Sequence, residues 1–283
     1  MIRKLKALSR IIKEDNNNLR HIYQLLVTDQ IDRLKKEARY NNPRSLIPYG
    51  YKMYSQNDED GIIREIFNRI GATNKVFVEF GIGNGLENNT LALLFDGWNG
   101  LWIEASSESV KAIRKNMPRI IDSGKLKVIE SFITKKNIND LILPNVSPRE
   151  IDLLSIDIDG NDFHVLDAIT CILPRVIVIE YNAKFMPPVI YCMEYDETYT
   201  WQQDDFVGSS LKFLEVKLAE KGYCLVGCNL IGINAFFVRK DLVADKFLDP
   251  FSAEKHYEQA RYYLTFGFSS GHLPSYKTLE KSL

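Results

Sequence analysis

The residues best able to do chemistry stand at the ends of short apolar runs. One run, Val76-Phe77-Val78-Glu79-Phe80, leads into Gly81-Ile82-Gly83-Asn84-Gly85, a loop with glycine at every second position. Glycine lets a backbone approach a ligand closely because no Cβ occupies the space. The spacing is GxGxG, and Leu86 stands where a dinucleotide fingerprint puts its third glycine, which argues against a nicotinamide cofactor. Glu79, two residues before the first glycine, suits an amine-bearing, cationic ligand better than a pyrophosphate. A second run, Gly100-Leu101-Trp102-Ile103-Glu104, also ends in an acid, placed to hold both hydroxyls of a ribose.

Two further runs end in oxygen donors. Ser155-Ile156-Asp157-Ile158-Asp159-Gly160-Asn161-Asp162 closes one, and Ile179-Glu180-Tyr181-Asn182 closes the next. If these ends are neighbours in a sheet, Asp157, Asp159, Glu180 and Asn182 converge. Oxygen-only donors suit Mg²⁺, Mn²⁺ or Ca²⁺, and a bound ion would lower the pKa of a hydroxyl. The same segment admits a metal-free reading with Asp159, Asp162 or His164 as general base. It also admits a structural one, since Asp-Gly-Asn-Asp is good turn and helix-cap chemistry. A lone histidine on a helix is more often a packing residue than a base.

The elements that must position these residues follow from periodicity. Short β-branched runs at Val76–Phe80, Leu101–Glu104, Leu126–Ile129, Leu153–Ile158 and Val176–Glu180 alternate with amphipathic stretches at Asn89–Phe95, Ser107–Asn116 and Asp162–Leu173. That alternation predicts a parallel sheet covered on both faces. After a helical stretch at Ser209–Lys221, Tyr223–Cys228 and Asn234–Arg239 read as a hairpin. Cys224 and Cys228, four apart in one strand, are expected to face the same side. The first forty residues carry a helical stripe at Leu5, Leu8, Ile12, Leu19, Ile22 and Leu26, close to heptad spacing; Asn16–Asn18 interrupt it, and Asn41-Asn42-Pro43 end it. The stripe either packs on its own domain or pairs with a second copy. An aromatic tail, Tyr257, Tyr262, Tyr263, Phe266 and Phe268, covers the domain or a partner.

Composition excludes several classes. The 283 residues are 45% hydrophobic and 26% charged, which excludes a disordered chain. The net charge of −1 speaks against a nucleic-acid binder that relies on bulk electrostatics. No apolar run reaches the length of a membrane span, no signal peptide is evident, and four cysteines without paired CxxC spacing fit a reducing, cytoplasmic compartment. The expected divisions are a helical extension at 1–45, a central domain at 46–245 and a tail at 246–283.

Taken together, Tyr54-Ser55-Gln56-Asn57-Asp58-Glu59-Asp60, the glycine loop, Glu87-Asn88-Asn89-Thr90, the segments ending in Asp162 and Asn182, and Asn234–Arg239 resemble the FkbM-type group of class I S-adenosylmethionine-dependent methyltransferases over about residues 50–240. The resemblance implies a Rossmann-like α/β fold: a seven-stranded, mainly parallel sheet of order 3-2-1-4-5-7-6 with a C-terminal antiparallel hairpin. It implies S-adenosylmethionine as cofactor, with Glu79, Gly81, Gly83, Asn84 and Asp157 near the methionyl part, Glu104 on the ribose, and Ser131 and Phe132 beside the adenine. Gln56 and Thr90 would be additional contacts. The chain departs from many class I enzymes in having Ser131-Phe132 where they carry an acid. The implied activity is methyl transfer to a hydroxyl of a polar small molecule, a sugar or sugar-derived intermediate of polysaccharide or natural-product assembly, with Mg²⁺ or Mn²⁺ as in metal-dependent O-methyltransferases. Read from its own residues, Tyr191–Asp205 forms either a lid over the acceptor site or a surface loop with a few aromatic anchors, and Tyr181, Tyr195 and Trp201 are the candidate substrate contacts. An oxidoreductase, a silent oligomerisation module and a protein acceptor are the competing readings.

Overall fold

The computed structural model describes residues 2–147, 149–267 and 271–283, with side chains outside 1–15, 148 and 266–270. Leu5, Leu8, Ile12, Phe266 and Phe268 therefore lie outside the described side chains. Seven strands form one sheet in the order β3-β2-β1-β4-β5-β7-β6. They are β1 (Val76–Phe80), β2 (Asn99–Glu104), β3 (Leu126–Glu130), β4 (Glu150–Ile156), β5 (Leu173–Glu180), β6 (Tyr223–Cys228) and β7 (Asn234–Arg239). The first five run parallel, while β7 is antiparallel to both β5 and β6. The expected order and terminal hairpin are both present.

Side chains alternate across the pleat into two cores, as a doubly covered sheet requires. Phe77, Trp102, Val176 and Phe236 pack on one face. Val78, Ile103, Ile177 and Phe237 pack on the other. Helices α1 (Ile2–Lys35), α2 (Glu59–Ile70), α3 (Leu91–Phe95), α4 (Ser107–Asn116), α5 (Pro118–Asp122), α6 (Ile138–Ile142), α7 (Asp162–Ala168) and α8 (Leu211–Glu220) connect and cover the strands.

Three expectations change. Helix α7 stops at Ala168, not Leu173, because Asn139 Oδ1 accepts the N–H groups of Thr170 and Cys171 and turns the chain into β5. Cys224 and Cys228 lie in opposite cores. A register shift between Leu225 and Gly227 inserts an extra residue into β6, and one extra residue reverses the side-chain phase. Helix α1 ends at Lys35, ahead of the expected stop at Asn41-Asn42-Pro43.

Helix α1 docks by a face that the stripe did not mark. Val27, Ile31 and Leu34 are buried with Tyr40, Ile47, Leu230, Ile231 and Leu264. Leu19, Ile22 and Leu26 stay 64%, 54% and 64% exposed. The tail wraps its own domain: the Tyr257 hydroxyl donates to the Ala183 carbonyl and that of Tyr276 to Asn84.

At the amino edge of the sheet, the fully buried Asp152 carboxylate accepts the N–H groups of Thr73, Asn74 and Lys75 and pairs with Arg175 at 2.6 Å. Removing one partner of a buried pair strands the other charge, at a cost of about 3–5 kcal/mol. Asp152→Asn is expected to lower unfolding free energy in urea by about that amount. A change below ~1 kcal/mol would show that Arg175 finds another partner.

Candidate active site

All five parallel strands deliver an acid at or just beyond their carboxyl ends: Glu79, Glu104, Glu130, Asp157 and Glu180. A cleft at this edge is where open α/β sheets bind ligands. It contains a cavity of about 670 Å³, walled by Glu79, Gly81, Gly83, Asn84, Glu104, Ser131, Phe132, Asp157 and Asp159, among others. A second cavity of about 730 Å³ adjoins it and shares Gln56, Asp157, Asp159 and Trp201.

The glycine loop is shaped by two carboxylates. Gly81 has φ +73°, and a Cβ there would sit 1.6 Å from the Asp157 carbonyl oxygen, so no side chain can replace it. Glu104 accepts the N–H of Gly83 with one oxygen and that of Ser106 with the other, both at 2.8 Å. Each oxygen keeps a free lone pair toward the cavity. Glu79 is almost fully buried. It accepts from Asn89 N–H at 2.8 Å, from Thr90 N–H and hydroxyl, and from Ser155 Oγ. Burial pushes its carboxyl up to about 7, against these hydrogen bonds, which lower it.

Thr90 is buried behind Glu79 and does not line the cavity; its hydroxyl also accepts from Trp102 Nε1 at 2.8 Å. Its contribution is to orient Glu79. Phe132 and Ser131 stand on the wall after β3, with Phe132 44% exposed and its ring open to a stacking partner.

Oxygens of Asp157, Asp159 and Glu180 lie within 4.8 Å of one another. Burial raises all three carboxyls. Neighbouring carboxylates add to this: Asp162 and Asp159 for Asp157, Asp157 and Asp162 for Glu180, and Glu104 for Asp159. Hard oxygen donors at this spacing fit a hard divalent ion. Asn182 lines the same cavity as these acids. Its amide donates to the carbonyls of Asp205 and Val207, and its oxygen accepts from Lys184 N–H.

Other expected site residues lie elsewhere. Asp162 is buried and accepts the N–H groups of Ile158 and Gly160 at 2.9 and 2.8 Å. It thereby holds the loop that puts Asp159 in the left-handed region, φ +56°. His164 points away, its Nε2 bonded to the Met193 carbonyl at 2.7 Å. Neither lines either of these two cavities. Tyr195 packs edge-on against His164 outside both cavities. Tyr181 forms part of the second wall, but its hydroxyl donates to the Glu258 carbonyl. Trp201 lines both cavities and is 46% exposed.

The first wall carries three buried amides, of which sequence reasoning missed Asn88 and Asn234 and named Asn161 only among the donors after β4. Asn88 Nδ2, Asn161 Oδ1 and Asn234 Oδ1 have no protein partner. It also missed Ile233, Tyr262 and Thr265 on the second. Asn88 and Asn234 stood inside the quoted segments, but nothing in their spacing distinguishes a buried amide from a turn residue.

A family model described as "Methyltransferase FkbM domain" matches residues 65–223, more than half of the chain. No curated protein matches it in sequence. Among solved structures, the chain is similar to an O-methyltransferase from Bacillus cereus in complex with SAH. The identity is 17% and the TM-score 0.43, over 76% of this chain and 88% of that one. It is also similar to M. capricolum TrmK in complex with S-adenosyl-homocysteine, at 12% identity and TM-score 0.40, over 66% and 69%.

Because the folded protein holds a proton on Glu79 that the unfolded chain releases near pH 4.5, the stabilisation is complete below that pH and is lost as pH rises to about 7. The contribution is roughly 3 kcal/mol. Glu79→Gln is expected to flatten this part of the stability profile, measured by urea unfolding at pH 5 and pH 7.5. An unchanged slope would mean that Glu79 is ionised in the fold.

Proposed function

Because the chain belongs to the FkbM methyltransferase family, of the S-adenosylmethionine-dependent class I type, we propose that it transfers a methyl group to a hydroxyl of a carbohydrate-like small molecule, assisted by a divalent cation. The observation that carries this reading is the junction of the two cavities at Asp157 and Asp159. There a donor bound in one chamber and an acceptor bound in the other would meet beside carboxylates.

The first chamber fits the cofactor. Apart from its chain neighbours Ile82 and Asn84, no described residue comes within 4 Å of a Cβ built on Gly83, which leaves open space for a ligand at the loop. Glu104 would take the ribose hydroxyls, and Phe132 would stack on the adenine. S-adenosylmethionine, when bound, supplies a sulfonium-activated methyl group. An alkyl hydroxyl also needs its proton removed. With Asp162 and His164 engaged elsewhere, Asp159 is the more accessible carboxylate at the junction, and its partial burial together with Glu104 raises its proton affinity. Asp157, Asp159 and Glu180 would hold Mg²⁺ or Mn²⁺, relieving their mutual repulsion and orienting the acceptor.

The second chamber suits an uncharged polyol. Asp157, Asp159, Glu180, Asp204 and Asp205 outnumber Lys184, which is itself paired with Asp205. A phosphate-bearing acceptor would meet net repulsion. Trp201 and Tyr262 offer aromatic faces, and Gln203 and Thr265 offer hydrogen bonds. Among the described residues no helix is long and apolar enough to cross a membrane. All four cysteines are free, in keeping with a reducing cytoplasm. The exposed Leu19, Ile22 and Leu26 favour pairing of α1 with a second copy.

Labelled S-adenosylmethionine and a panel of neutral, amino and phosphorylated sugars test the reading. Neutral acceptors should be labelled at oxygen, chelation should abolish turnover and Mg²⁺ restore it. Asp159→Asn should lower kcat by ~10²–10⁴-fold with cofactor affinity retained. Turnover untouched by thorough chelation would remove the metal; label appearing only on nitrogen would remove the hydroxyl. For the dimer, sedimentation equilibrium should give twice the monomer mass, and Leu26→Glu should return it to monomer. A monomeric wild type would sink that part.

A further inference from the structure

A 3₁₀ helix repeats every three residues, so side chains at i and i+3 lie one above the other. The tail forms such a helix over Tyr262–Gly267. The period sorts its residues, together with Arg261 just ahead of them, into separate roles. Arg261 and Leu264 are buried anchors. Arg261 donates to the Leu230 carbonyl and to Glu258, and Leu264 packs with Val27, Ile31 and Leu34 of α1. Tyr263 offers its carbonyl to α1, where it accepts the Tyr23 hydroxyl. Tyr262 and Thr265 are the remaining pair, and both line the second chamber.

The turn is fixed from below. Arg261 N–H donates to the Ile231 carbonyl at 2.8 Å, and Leu264 N–H to the Arg261 carbonyl at 2.8 Å. Gly232 lets the incoming chain pass close by: a Cβ there would lie 2.4 Å from the Gln259 carbonyl oxygen. Thr265 Oγ1 donates to the Tyr262 carbonyl at 2.9 Å, which commits its proton to the turn. Tyr262 is 58% exposed and presents its ring at the chamber, which Trp201 borders from the segment after β5. A pyranose ring carries a flat row of C–H groups that an aromatic face can cover; an open-chain polyol holds no such face. Resting on the acceptor reading above, we propose that Tyr262 selects a cyclic sugar over an open-chain polyol, and that α1 positions it by docking on Leu264 and on the Tyr263 carbonyl. Tyr262 and Thr265 line the second chamber and not the first, so both segments act on the acceptor and leave the cofactor alone. Tyr262 and the α1 residues lie outside the family-matched residues 65–223.

Steady-state kinetics with labelled S-adenosylmethionine test this on the methyl pyranosides of glucose, mannose and galactose, each against its open-chain alditol. Wild type should favour the ring in kcat/KM. Tyr262→Ala should cut that preference by about 2–10-fold, the range for an aromatic contact, and Tyr262→Phe, which keeps the ring, should retain it. Val27→Ala, at the α1 contact, should raise KM for the pyranoside with kcat within about twofold, the mark of lost binding and not of lost chemistry. Leu26→Glu, one residue away on the exposed face, should leave that KM unchanged. Calorimetry should give S-adenosylhomocysteine its wild-type affinity in every variant. Thermal unfolding identifies a variant that fails to fold; Tyr262→Leu and Val27→Thr then replace it with the same expectations. A ring preference absent from wild type or intact in Tyr262→Ala would overturn the selection. A KM effect as large in Leu26→Glu as in Val27→Ala, or none in Val27→Ala, would overturn the positioning by α1. Wild type that binds S-adenosylhomocysteine and methylates neither member of any pair would overturn the acceptor reading, and this assignment with it.

Discussion

Crowding of carboxylates at one edge of the sheet is the constraint around which the rest is arranged. Like charges this close cannot all be ionised without compensation. The chain supplies most of that compensation from its own backbone. Glu79 takes N–H groups at the start of α3, Glu104 takes those of Gly83 and Ser106, and Asp162 takes those of Ile158 and Gly160. Asp60 does the same for Met53, Tyr54 and Ser55 ahead of the sheet. Each of these acids fixes a loop. Among the described residues, Asp157, Asp159 and Glu180 are gathered without N–H donors of that kind, which is why the proposed chemistry is placed on them.

This division of labour separates two uses of one residue type. An acid whose lone pairs are occupied by N–H groups cannot also act freely on a ligand, although Glu104 retains capacity toward the cavity. Thr90 and Asp162 shape neighbours and do not themselves reach the chamber. Removing them would disturb the site through Glu79 and through the loop carrying Asp159.

The segments outside the family-matched region also build the site. Glu258 is buried among Arg39, Tyr40 and Arg261, and its backbone carbonyl receives the Tyr181 hydroxyl. Leu264 packs into the cluster formed by Val27, Ile31 and Leu34 of α1. The same tail carries Tyr262 and Thr265 to the second chamber. The N-terminal helix and the tail therefore brace each other, and the tail forms one wall of the second cavity. That wall lies outside the family-matched residues 65–223.

Periodicity determined much by itself. Alternating β-branched and amphipathic runs are local patterns, so the strands, their parallel arrangement and the closing hairpin were legible residue by residue. So was the glycine loop, because only glycine tolerates the backbone conformation and the contact with Asp157 at position 81. What the sequence could not contain is which atoms of a polar side chain are already taken. His164, Tyr195 and Asp162 have the right chemistry in the right stretch of chain, yet partners distant in sequence or a tight local turn hold them away from the cavity. The bulge in β6 sent Cys228 to the opposite face from Cys224, and the docking of α1 chose Val27 over Leu26. Asn88 and Asn234 became visible only once the fold had consumed one half of each amide and left the other buried without a protein partner. Local pattern sets the elements, but occupancy of donors and acceptors is a property of the packed whole.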